Sequence, residues 1–238
     1  MYGRGIAKLI ELTRGQLIVF LGCTGVGKST CIKLVGNSIK KGSVKVKTIR
    51  IKNYYPFSSL LLRLYGMKKR NNRKRWISIS SQNLGKTGIK LEILKLSIML
   101  DLPVNIFHLI VTSILKIRLF LYLKRVVLIE DYIYERLVDL LYANQNYGVN
   151  LKVVKTSSNL LLRLKPNNTT EVVLVANNLN LKNRWNKRKS DFEHPEYIKI
   201  QHTMIEYCKQ NANNLVFIET DDKSIIDVQE EILSKLYA

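Results

Sequence analysis

Apolar residues fall along this chain in two patterns, short unbroken runs and helical spacings, and the runs and spacings take turns. Residues 17–21 read LIVFL, too short for a helix and closed by glycine, as expected of a strand buried on both faces. Residues 28–40 follow with Cys31, Ile32, Leu34, Val35 and Ile39 on one helical face, and Gly42 supplies a stop. Residues 43–51, SVKVKTIRI, set Val44, Val46, Ile49 and Ile51 among basic residues, predicting a half-buried strand with one charged face. Strand, glycine turn, helix and strand open a parallel sheet with helices on its faces.

The pattern continues with helices at 89–100 and 104–123, divided by Pro103. Residues 126–129 form a compact apolar run ending in Glu130-Asp131, and a helix is expected over 132–143. Short strands are expected at 151–154 and 172–176, a helix at 195–211, a buried strand at 215–218 and a closing helix at 224–236. Residues 1–14 read as a lead-in helix or strand. Neither a repeat nor a linker is evident, so residues 1–238 are expected to form one domain. The most apolar stretch, 104–123, is interrupted by His108, Lys116 and Arg118, which predicts a buried or basic-faced helix and no transmembrane segment.

Charge changes this picture. The 238 residues carry a net charge of +21, and the first ninety hold 20 Lys and Arg against one acid, Glu11. Such asymmetry suits a polyanionic partner, and nucleic acid stays open as one. The densest part, MKKRNNRKRW at 67–76, reads either as a solvated run or as a grip on phosphates with Trp76 as a stacking platform. Residues 78–88 form a polar loop. Three cysteines without metal-ligand spacing, and no signal peptide, point to a reducing, cytoplasmic setting.

The candidate chemistry sits where the first strand ends. Gly22-Cys23-Thr24-Gly25-Val26-Gly27-Lys28-Ser29-Thr30 matches the phosphate-binding loop without a mismatch. Glycines let backbone N–H groups curl around an anion, and the helix N-terminus behind them adds donors and partial positive charge. Lys28 would reach the outer phosphates of ATP, and the Ser29 hydroxyl would sit on Mg²⁺. At 53–57, NYYPF offers Tyr54, Tyr55 and Phe57 for stacking on a base, with Arg50 and Arg63 to hold its phosphate. These aromatics serve equally well as loop anchors. Glu130 and Asp131 follow a buried strand and would face the same crevice, holding Mg²⁺ or touching a substrate hydroxyl; otherwise they cap the next helix.

The order of these pieces resembles the thymidylate kinase family and its relatives. A phosphate loop is followed by an aromatic-proline loop, then by Val126-Val127-Leu128-Ile129-Glu130-Asp131-Tyr132, then by a basic segment ending Asp191-Phe192-Glu193. The resemblance spans most of the chain and implies a P-loop NTPase fold, an α/β parallel sheet flanked by helices on both faces, with a basic lid over roughly 179–194. It implies phosphoryl transfer from ATP to a nucleoside monophosphate or nucleoside. Glu130 would take the place of the family's aspartate, Tyr132 would join the acceptor contacts, and Arg184 and Arg188 would close over the phosphates. The family's arginine beside that acid is Asp131 here, which opens the acceptor to an uncharged nucleoside or another phosphorylated metabolite. The other class of function is a divergent P-loop ATPase that binds nucleic acid through its basic first part. A second copy of the chain stays open as a partner. The loop also resembles that of transporter-type ATPases, but no Leu-Ser-Gly-Gly-Gln follows, and the acids read Glu-Asp.

Overall fold

In the computed structural model, the structure describes residues 15–51, 56–58, 60, 89–187 and 195–237. The five-residue run at the start becomes β1 (Leu17–Leu21), with every residue buried. Its neighbours in the chain are α1 (Lys28–Lys41), which ends at Gly42 as the spacing predicts, and β2 (Val46–Ile49). β2 is shorter than its alternating pattern and lies at the sheet edge, with Lys47 and Thr48 exposed. Then come α2 (Ile89–Thr112), a π-helical turn (Ser113–Arg118), α3 (Leu119–Tyr122) and β3 (Val126–Glu130). The second half runs α4 (Tyr134–Tyr147), α5 (Leu151–Arg163), β4 (Thr169–Val175), α6 (Asn178–Lys187), α7 (Pro195–Asn211), β5 (Leu215–Glu219) and α8 (Ile225–Leu236).

The five strands are all parallel, in the order β2-β3-β1-β4-β5. Parallel neighbours require crossovers, and the helices that make them cover the sheet, so its inner strands bury both faces. Leu17, Ile18, Val19 and Phe20 of β1 and Val126 to Ile129 of β3 have no exposed surface. Register fixes the functional end. Phe20 of β1 lies opposite Glu130 of β3, so the glycine turn and the two acids leave the sheet side by side.

Two expectations are corrected. Residues 151–154 are the first turn of α5 and not a strand. Asn150 caps that helix by accepting from Lys152 N–H at 2.8 Å, and Val154, Ser157 and Leu161 are buried at helical spacing. Pro103 lies inside the continuous α2 and does not divide two helices. The bond a proline cannot give would go to the Met99 carbonyl, and Met99 and Pro103 both lie on the exposed side of the helix. The side chain of Asn105 donates to the Asp101 carbonyl at 2.9 Å across the same turn.

The stretch Lys95–Tyr122 is long and apolar enough to cross a membrane by length and composition. It turns Leu109, Thr112, Ser113 and Ile117 into the fold and leaves Phe107, Ile114, Leu115 and Tyr122 exposed. The expectations for residues 1–14, the basic run at 67–76 and the polar loop at 78–88 lie outside the described residues.

Asp101 of α2 is buried and accepts from the Phe57 and Ser58 N–H groups, both at 2.9 Å, and from the Ser58 hydroxyl. It therefore ties the segment after β2 to the long helix. Replacing Asp101 with Ala removes the acceptor of both N–H groups and leaves the Ser58 hydroxyl only a 3.4 Å contact to Ser97. Urea unfolding of Asp101→Ala is expected to show a loss of about 2–4 kcal/mol, with Asp101→Asn losing less.

Candidate phosphate site and the cleft beside it

β1 feeds the glycine turn directly. Gly22, Gly25 and Gly27 have φ of 146°, 94° and 109°, values that L side chains rarely adopt. Space adds to this demand: a Cβ on Gly22 would stand 2.3 Å from the Leu174 carbonyl oxygen, and one on Gly25 would stand 2.2 Å from the Trp185 indole nitrogen. At Gly27 the same construction meets nothing within 4 Å, the open mouth of the turn. Gly27 is also the N-cap of α1. Neither a capping side chain nor an acid stands in that first turn, so its N–H groups remain available to an anion.

Lys28 is nearly enclosed. Its ammonium donates to the Gly22 carbonyl at 2.7 Å and the Cys23 carbonyl at 3.3 Å, and lies 3.5 Å from an Asp131 carboxylate oxygen. Burial alone would lower its pKa, but Asp131 and Glu130 outweigh burial and hold the ammonium above its ordinary value. Burial pushes the Asp131 carboxyl up to about 7 against the pull of Lys28, with Glu135 and Glu130 adding to the rise. Three acidic side chains thus act on the field at one ammonium, with Asp131 in contact.

The acids are positioned by backbone. Asp131 N–H donates to the Phe20 carbonyl at 2.9 Å, extending the β1–β3 ladder by one residue. The chain then turns through two consecutive left-handed residues, Asp131 at φ 56° and Tyr132 at φ 39°. Glu130 accepts from the Ser29 hydroxyl at 2.8 Å. Hydroxyl and carboxylate oxygens together are hard donors of the kind that suit Mg²⁺. Among the described residues no group of three or more His, Cys, Asp or Glu gathers as a separate metal site.

Other predicted residues land in different places. Tyr132, expected at the acceptor, is buried, its hydroxyl held by Ser113 at 2.5 Å and the Leu164 carbonyl at 3.1 Å. Burial raises its pKa. Arg184 points at the underside of the loop. Its guanidinium donates to the Val26 carbonyl and the Thr220 hydroxyl, both at 3.1 Å, and to the Thr220 carbonyl at 2.9 Å. Arg50 is exposed just past β2, and Phe57 is exposed. Tyr54, Tyr55, Arg63 and Arg188 lie outside the described residues.

Sequence reasoning missed the clasp around Thr24. Trp185 of α6 donates its indole N–H to the Thr24 carbonyl at 2.9 Å. Gln201 of α7 accepts from Thr24 N–H and donates to its hydroxyl, both at 3.4 Å, while His202 stands 3.6 Å from the Cys23 sulfur. The only sequence signal was an aromatic set in a basic segment. Next to the loop a small cleft opens to solvent, with Gly22, Asp131, Tyr134, Glu135, Gln201 and Met204 among its lining.

No family model matches the chain, and no curated protein matches it. Among solved structures it is similar to a thymidylate kinase from Ehrlichia chaffeensis. The TM-score is 0.53 and the identity 16%, covering 94% of this chain and 99% of that one. The likeness shows the fold: a parallel α/β sheet of P-loop NTPase type, thymidylate-kinase-like in architecture.

Gly25 is where turn conformation and the Trp185 contact coincide. Gly25→Ala is expected to cost roughly 1–3 kcal/mol in urea unfolding and to weaken ATP binding measured by calorimetry.

Proposed function

We propose that this chain, acting as a single domain over residues 1–238, transfers the γ-phosphoryl group of ATP to a nucleoside or nucleoside monophosphate. The observation that carries this reading is the Ser29 to Glu130 hydrogen bond beside the Lys28 ammonium. It brings the loop's hydroxyl and the strand's carboxylate to one point, at the carboxyl ends of two adjacent strands. The fold shared with a thymidylate kinase supports the kinase class in particular.

Transfer of a phosphoryl group needs little covalent chemistry from the protein. It needs donor and acceptor held in line and charge neutralised on the moving group. The loop N–H groups and α1 bind the polyphosphate, and Lys28 leaves its loop carbonyls to meet the outer phosphates. Ser29 and Glu130 would hold Mg²⁺, which when bound supplies charge neutralisation between the β- and γ-phosphates. Arg184, through Val26 and Thr220, keeps the loop against β5 so that its N–H groups stay aimed inward. Arg188 would close the site from the basic segment.

The tests separate binding from chemistry. Lys28→Ala is expected to lower ATP-dependent phosphotransfer by at least about 10²–10³-fold, with the far-UV circular dichroism spectrum unchanged. Glu130→Gln is expected to raise the Mg²⁺ concentration for half-maximal rate by about tenfold or more. An unchanged rate in Lys28→Ala would remove the kinase reading.

A further inference from the structure

Two adjacent residues of α6 hold alternate peptides of the glycine turn. The Trp185 indole N–H donates to the Thr24 carbonyl at 2.9 Å, and the Arg184 guanidinium donates to the Val26 carbonyl at 3.1 Å. A peptide unit is planar, with its C=O and its N–H pointing in opposite directions. Holding the Thr24 carbonyl therefore fixes where the Gly25 N–H points, and holding the Val26 carbonyl does the same for Gly27. Among the described residues neither of these N–H groups donates to a backbone carbonyl. Val26 N–H, by contrast, goes to the Cys23 carbonyl at 3.2 Å, and Thr30 and Cys31 N–H go to the Gly27 carbonyl.

The Thr24–Gly25 peptide is the one that most needs holding. Without a Cβ, Gly25 passes between backbone regions at little cost, so the peptide ahead of it can turn over. In the reversed orientation the Thr24 carbonyl oxygen would face an incoming anion and the Gly25 N–H would face away. Trp185 acts against that state twice. It favours the observed orientation with a bond shielded from water, the side chain being only 4% exposed. Its indole nitrogen also lies 2.2 Å from where a Gly25 Cβ would stand, so a reversed peptide would turn one N–H toward another. The helix that carries it is braced in turn. Arg184 reaches both Thr220 oxygens, and Asp221 accepts from Asn177 N–H and the Asn180 amide at 2.8 Å each.

We propose that Trp185 is a positioning residue for the glycine turn, locking the Thr24–Gly25 peptide so that the Gly25 N–H faces a bound polyphosphate. The inference rests on the phosphate-binding part of the function proposed above. It adds a residue 161 positions from Thr24 that sets the affinity of the turn.

Inorganic tripolyphosphate is the probe, because it presents the anion without a base or an acceptor. Its affinity would be measured by calorimetry on the full chain, with the turn amides followed by heteronuclear NMR. In the unaltered protein the Gly25 and Gly27 amide protons are expected to move to lower field as tripolyphosphate binds. Trp185→Phe keeps a ring and removes the N–H. It is expected to weaken tripolyphosphate binding about fivefold and to abolish the shift of Gly25 while that of Gly27 remains. A merely structural loss would reduce both together. Unchanged affinity, an undiminished Gly25 shift, or an equal loss at both glycines would each overturn the inference. Should the variant not fold, the unaltered protein still decides. Its Trp185 indole N–H is expected to resist hydrogen exchange with and without tripolyphosphate, and rapid exchange in either state would overturn the inference. No binding of tripolyphosphate by the unaltered protein would remove the phosphate-binding reading and this inference with it.

Discussion

The pairing of β1 with β3 is the constraint on which the site depends. Each strand ends in a functional element, the glycine turn on one and the two acids on the other. The register that sets Phe20 opposite Glu130 places both at one level. The ladder then continues past the strand, through Asp131 N–H to the Phe20 carbonyl. Neither strand can slide without moving its whole buried set, because both bury both faces. Core packing and the separation between Lys28 and its carboxylates are thus one variable.

A second layer holds the loop from the other side. Trp185 and Arg184 of α6 take the Thr24 and Val26 carbonyls, and Gln201 of α7 engages Thr24. Carbonyls secured from below leave the loop's N–H groups facing the open mouth at Gly27. Under the proposed function, loop, helices and acids would serve as a preorganised receptor for polyphosphate, with Lys28 as its buried cation. The partners of Lys28 are two loop carbonyls and Asp131.

Much of this was legible along the chain. The LIVFL run, the loop spacing, the helix opened by Lys28 and the VVLIE strand all carry local signals, and all stand where the pattern set them. What escaped was non-local or context-dependent. The Trp185 and Gln201 contacts join residues 161 and 177 positions from Thr24, which no spacing rule reaches. Residues 151–154 suggested a strand, but the Asn150 cap and the buried face through Leu161 made a helix. Pro103 suggested a break, but it sits on the exposed side of an unbroken helix. Tyr132 looked like a contact for a ligand because it follows the acids. The left-handed turn buries it under Ser113 and Leu164 instead.

That turn also limits what position 131 can become. Short polar side chains tolerate φ near 56° because they bond locally, whereas long or branched ones carry added strain. Tyr132 follows in the same unusual conformation, pinned by its hydroxyl, so the backbone has little room to relax around a new neighbour. Charge and backbone at this corner are therefore inherited together. A lineage carrying this turn can drift between aspartate, asparagine and glycine at small conformational cost. A long cationic side chain fits here only by bearing the strain or rebuilding the corner.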